Sequence, residues 1–232
     1  MHDTGFKSQK EALAYCKQML ARYRNGDTTN QQDSQFLLNM LQRHPEARDK
    51  IGCGVKRFFK ARVISKGTDC FWLEREDGTS TDFSYKSCVT AKGKSLAQEF
   101  AEACREAVQP ELDAAKKAHF QQHANADGKV QCEVTGEMVA IYESHLDHKK
   151  PMTFEVIVKT FIAANQITIT PGMLSVPTDA QYVTTFVDEE IRQKFIDYHH
   201  SVCKLRVVAK KVNLSLGGSE RLTKVKRPVV LK

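Results

Sequence analysis

His145-Leu146-Asp147-His148-Lys149-Lys150-Pro151 sets a carboxylate directly before an imidazole, entered from an apolar strand and left through a proline. An Asp followed by a His offers a metal ligand and a proton acceptor side by side, which suits hydrolysis of a phosphodiester bond. That reaction needs a deprotonated water in line with the leaving oxygen. It also needs positive charge where the phosphorane and the departing alkoxide gather negative charge. A neutral imidazole near pH 7 can take the proton, help worth roughly 10²–10⁴ in rate.

Adjacent strand residues point to opposite faces, so Asp147 and His148 can serve one site only if the strand twists or bulges there. His145 lies on the Asp147 face, where it could orient that carboxylate or substitute for it. By itself the dipeptide reads first as a hydrogen-bonded pair at a strand end, and the flanking segments CEVTGE and LRVVAKKVN are what favour chemistry. His199-His200 is a second imidazole pair, but neighbours on a helix diverge by about 100 degrees, so a surface position is expected for it.

The chain has 232 residues, 41% of them hydrophobic, enough for a sizeable core and for one large or two small domains. Its formal charge of +7 points toward a polyanion, and the charge is concentrated. Residues 204–232 hold nine Lys or Arg against the single acid Glu220, more than the excess of the whole chain. Within that stretch, Lys210, Lys211, Lys224, Lys226 and Arg227 are either phosphate contacts or simply solvated, and their closeness in sequence to Asn213 favours contact. Seven cysteines with no CxxC pair support neither a disulfide framework nor a zinc ribbon, and are expected as reduced, mostly buried thiols of a cytoplasmic protein. No secretory or organelle-targeting segment is visible, and no apolar run approaches the roughly 20 residues that would span a bilayer. No membrane partner is expected.

The spacing predicts an α+β chain. Ser8-x-x-Glu11 reads as a capping box opening a helix to about Arg24, and a second short helix begins at Asp33 and stops at His44-Pro45. Strands follow over residues 55–64, 70–75 and 80–84, the last two flanking an Asp77-Gly78 turn. Phe71 and Trp72 are expected in the core. Residues 92–127 read as a polar helical connector, two helices broken at Pro110. Beyond it come a hairpin around Cys132–Val139, the His145–Pro151 segment, a helix from Thr153 to about Asn165, and a last helix from about Asp188 to Val208 that begins acidic and ends basic.

Arg43-His44-Pro45, Lys50-Ile51-Gly52-x-Gly54, Cys70-Phe71 and Asp82-Phe83-Ser84-Tyr85-x-x-Cys88 give residues 6–91 a resemblance to the DCL family, named for the plant "defective chloroplasts and leaves" proteins. The resemblance implies a nucleic-acid context, through ribosomal RNA maturation and a plant RNA polymerase subunit. It brings no enzymatic residues, so a targeting or binding role is expected.

CEVTGE at 132–137, HLDHKKP at 145–151 and LRVVAKKVNLSLGG at 205–218 make residues 128–232 similar to HNH endonucleases of the ββα-metal class. The resemblance implies His148 as general base, with Asp147 and Asn213 as ligands of one divalent ion. A carboxylate and an amide oxygen, with nucleic-acid phosphate completing the shell, suit Mg²⁺ or Mn²⁺. The Cys-x-x-Cys knuckles of many members are absent, so no structural zinc is expected. The middle motif residue falls at about Lys204, and the span from His148 to Asn213 must hold an inserted helical segment. Asn213 could also cap a helix. The expected function is therefore metal-dependent cleavage of nucleic acid, DNA ahead of RNA, nicking as a monomer or cutting both strands as a homodimer. The rival expectations are a non-catalytic nucleic-acid binder with a degenerate nuclease fold, and an N-terminal domain that binds protein alone.

Overall fold

A computed structural model describes residues 5–63, 67–176 and 183–216. Over these residues the chain divides into two compact units, 5–95 and 96–176 with 183–216. The fold is α+β, with helices set around small antiparallel sheets.

In the first unit, helix α1 (Gln9–Arg22) is capped by Ser8, whose Oγ accepts from the Glu11 N–H at 3.2 Å. Only this half of the expected capping box forms, because the Glu11 carboxylate accepts from the Lys7 N–H at 2.9 Å. Helix α2 (Gln31–Leu41) starts two residues before Asp33, since Asn30 takes the cap and accepts from the Asp33 N–H at 2.8 Å. Asp33 itself is buried, held by Tyr23 at 2.6 Å and Arg22 at 3.1 Å. After the short helix α3 (Ala47–Ile51) come strands β1 (Val55–Val63), β2 (Thr68–Arg75) and β3 (Ser80–Phe83), antiparallel in that order, and helix α4 (Tyr85–Thr90). Phe58 pairs with Leu73 and Phe71 with Phe83, so all four share one sheet face. They pack there with Cys16, Met19, Leu37, Leu41 and Cys88 of the helices.

The Lys50-Ile51-Gly52 motif acquires a physical reason here. Gly52 has φ +56°, and a Cβ on it would meet the Arg75 Cδ and Nε at 2.9 Å. Buried Arg75 lies against that bare backbone and donates to the Lys50 and Asp49 carbonyls at 2.9 and 3.0 Å and to Thr79 Oγ1 at 3.0 Å. It thereby ties the end of α3 to the β2–β3 turn.

The second unit opens with α5 (Leu96–His123), one helix where two were expected. Pro110 is exposed and gives up a single backbone bond. On either side of it Phe100, Ala103, Cys104, Ala107, Val108 and Leu112 form one buried stripe with residues of the following helices. Burying that stripe outweighs the roughly 3 kcal/mol cost of a mid-helix proline. The same packing makes α5 part of the core of this unit rather than a polar connector.

Strands β4 (Lys129–Gln131) and β5 (Met138–Ala140) form the hairpin expected around Cys132. Next come β6 (Ser144–His148), α6 (Phe154–Ala164) and α7 (Glu189–Val202), then β7 (Leu205–Ala209) and α8 (Lys210–Leu216). The helix expected to run on to Val208 ends at Val202. Its last residues instead form β7, antiparallel to β6, because the β-branched Val207 and Val208 find an open ladder there and become fully buried.

Candidate functional site

Strands β6 and β7 pair in register from Ser144↔Ala209 to His148↔Leu205, and β7 runs directly into α8. This ββα arrangement brings the predicted residues together. His145, Asp147, His148 and Asn213 all line one cleft of about 370 Å³, walled on its other side by Arg105, Gln109, Leu112, Asp113 and Lys116 of α5 and by Phe154 of α6.

Within the cleft the residues pair differently from the simplest expectation. Asn213, four residues into α8 and therefore not its N-cap, donates through Nδ2 to His145 Nδ1 at 3.0 Å. Burial, then the nearby Lys210 and Lys116, holds the His145 ring below its usual proton affinity, consistent with a neutral acceptor. Asp147 sits opposite Arg206 in the ladder, and both Nε and Nη2 of Arg206 reach its Oδ2 at 2.9 Å. Its Oδ1 accepts no hydrogen bond among the described residues, and neither does Asn213 Oδ1. Two hard oxygen donors are thus left at the cleft. Among the described residues no group of three His, Cys, Asp or Glu side chains comes together as a metal cluster.

His148 turns inward. It is 5% exposed, and its Nε2 lies 2.8 Å from Nε2 of His199, which is 2% exposed. Phe154 packs against both rings and Phe195 against His199. Burial, together with the Arg105 charge and the neighbouring ring, drives the His148 pKa down to about 3. Burial and the charge of His200 take His199 down to about 4. Both rings are neutral at ordinary pH. His199 Nδ1 is buried with no hydrogen-bond partner. The 100-degree rule separates His199 from His200 as expected, but only His200 stays at the surface, paired with Glu111. The inward member was missed, although His199 lies four residues after Phe195, on the buried stripe of α7.

Arg105 is the other residue that sequence reasoning missed. Its guanidinium carbon stands 3.4 Å from the centroid of the Phe154 ring. Lys116 donates to the Ser144 carbonyl at 2.7 Å, and burial and the nearby Lys210 lower its pKa. Lys210 and Lys211 are exposed at the start of α8, Lys211 in an ion pair with Glu137 at 3.1 Å. Lys224, Lys226 and Arg227 lie outside the described residues. Cys132 is buried with Val130, Val139, Val207, Val208 and Ala209. Burial pushes its thiol up, but hydrogen bonds from Thr135 and from backbone groups including the Ala209 N–H outweigh this and hold it below its ordinary value.

Residues 17–89 match the family described as "Protein of unknown function (DUF3223)". Three Arabidopsis thaliana proteins are similar to this chain. "DNA-directed RNA polymerase IV subunit 1" is 37% identical over 35% of the chain and 6% of its own length. "Protein EMBRYO DEFECTIVE 514" is 38% identical over 26% and 30%. "Protein DCL homolog, chloroplastic" is 31% identical over 29% and 32%. The N-terminal unit carries a DCL-like domain. A solution NMR structure of an uncharacterized Rhodospirillum rubrum protein is 44% identical over 38% of this chain and 84% of that one, with a TM-score of 0.35. The chain thus spans a third or less of the curated relatives' lengths. Among the described residues no helix is long and apolar enough to cross a membrane.

Proposed function

We propose that the second unit is an HNH-type endonuclease that hydrolyses phosphodiester bonds in nucleic acid, DNA ahead of RNA, and that the DCL-like domain directs it to its substrate. The observation that carries this reading is the His145–Asn213 contact across 68 residues of chain, which holds the amide of α8 against the strand that bears Asp147 and His148.

The donor set fits a divalent ion. Asp147 Oδ1 and Asn213 Oδ1 would hold Mg²⁺ or Mn²⁺, with water and substrate phosphate completing the shell. Bound there, such an ion supplies positive charge to the phosphoryl and leaving oxygens. His145 fixes the orientation of Asn213 by taking its amide N–H, which leaves the amide oxygen for the site. Arg206 holds Asp147 in place across the ladder. His148 is the base, and with Nε2 turned to His199 its Nδ1 is the nitrogen left to take a proton from water. In that form His148 donates from Nε2 to His199.

One observation favours the non-catalytic reading. A ring held near pKa 3 is a weak base, and its acceptor tautomer places a proton on the partnerless Nδ1 of His199. Supercoiled plasmid incubated with the full chain and Mg²⁺ or Mn²⁺ separates the two. Nicking that is lost in His148→Ala and Asn213→Ala, with DNA retention on a gel unchanged, supports the nuclease. Retention without nicking in the unaltered chain supports the binder.

A further inference from the structure

We propose that Arg105 is the phosphate-gripping group of the cleft, clasping two oxygens of a backbone phosphodiester with the edge of its guanidinium while Phe154 supports its face. The inference rests on the cleft being a nucleic-acid site, but not on cleavage taking place there.

A guanidinium even partly enclosed by protein, as the half-buried Arg105 is on the cleft wall, is normally matched by a carboxylate or a set of carbonyls, because removing an unmatched charge from water is costly. Arg75 in the first unit follows that pattern, with two carbonyls and a hydroxyl at 3.0 Å or less. Arg105 does not. Among the described residues it makes no hydrogen bond and no ion pair, and its one close partner is the Phe154 ring at 3.4 Å. Stacking uses the face of the group and leaves its in-plane N–H donors unspent. Burial lowers its pKa to about 10, which still leaves it charged at neutral pH.

Of the two carboxylates that line the cleft, Asp147 is ion-paired with Arg206 through Oδ2, and Asp113 accepts from Gln109 at 2.9 Å; neither pairs with Arg105. Lys116 adds a second cation to the same wall, and Lys210 is near enough to act on both Lys116 and His145. A cleft with a free planar fork and a neighbouring ammonium favours an oxyanion. Phosphate is the one whose paired oxygens match the fork. Arg105 also lies close enough to His148 and Asp147 for each to feel its charge, so a phosphate held by it sits beside both.

The test uses the full chain in EDTA, so that nothing is cut. Binding of a fluorescent 20-base-pair DNA duplex, and its competition by inorganic phosphate, is compared across Arg105→Ala, Arg105→Lys and the surface control Arg192→Gln. About tenfold weaker duplex binding in Arg105→Ala is expected, the size of a lost bidentate contact. Arg105→Lys keeps the charge over Phe154 but lacks the fork, so it should weaken binding too, and it decides the matter if the alanine variant fails to fold. Arg192→Gln should bind as the unaltered chain does. Duplex binding and phosphate competition unchanged in a folded Arg105 variant overturn the inference, even if the plasmid is nicked in a His148-dependent way. A chain that never nicks but loses duplex binding with Arg105 leaves the inference standing and removes the nuclease.

Discussion

His148 and His199, 51 residues apart in the chain, face each other Nε2 to Nε2 at 2.8 Å inside the second unit. One ring must donate and the other accept, so the contact exists only while at least one of the two remains neutral. A second proton would set two cations against each other among phenylalanines.

The pair should make stability depend on pH. In the unfolded chain both rings titrate near 6.5, whereas in the fold they are held down to about 3 and about 4. With folded values depressed, the unfolded chain binds protons first on acidification. The contribution is therefore whole above about 6.5, declines as pH falls and is gone by about 3, at no more than about 1.4 kcal/mol per pH unit for each ring. Urea denaturation followed by circular dichroism between pH 4 and 8 should record this decline, flattened in His148→Asn/His199→Gln. Equal pH dependence in that double variant would rule the pair out as its source.

Gly52→Ala should destabilise the DCL-like domain by about 2 kcal/mol, since it adds both a left-handed strain and a clash with Arg75. Trp72 is the chain's single tryptophan and belongs to this domain, so its fluorescence reports unfolding there. An unshifted urea midpoint would show that the Arg75 side chain moves away at no cost.

Pro110→Ala should stabilise the second unit by about 2 kcal/mol. It restores a backbone donor within α5 at an exposed position, partly offset by a more flexible unfolded chain. A thermal midpoint lowered by this change would mean that the proline ring contributes packing of its own.

Arg206→Met should cost about 1 kcal/mol of stability, as expected for a half-buried ion pair, and should free the second carboxylate oxygen of Asp147. If Asp147 is a metal ligand, Mn²⁺ titrated calorimetrically into this variant binds at least as tightly as to the unaltered chain. A clear loss of Mn²⁺ uptake would instead make Arg206 an essential support of that carboxylate.

Much of the first unit was legible because its signals are local. Ser8 caps α1, Asp77-Gly78 turns β2 into β3, and alternation marks β1. The α2 boundary was misjudged by two residues, because Asn30 and Asp33 can both cap and only the Tyr23 and Arg22 contacts commit Asp33 elsewhere. In the second unit the motifs named His145, Asp147, His148 and Asn213, which share a cleft, but not their pairings. Strand β7 looked like the tail of a helix, since its partner lies across a long insertion and pairing overrides propensity at Val207 and Val208. Arg105 carried no signal in sequence, because an arginine on a long polar-looking helix is ordinarily solvated.

The connection between β6 and β7 spans residues 149–204, where a tight hairpin would use a handful. Closing so long a loop costs about 2 kcal/mol more in chain entropy than closing a short one. The two strands therefore cannot zip up from a local turn, and α6 and α7 must gather first and bring them into range. The cleft is expected to be the last part of its unit to assemble in folding. A nick in the intervening helices, far from any candidate ligand, should dismantle it as surely as a change to Asp147.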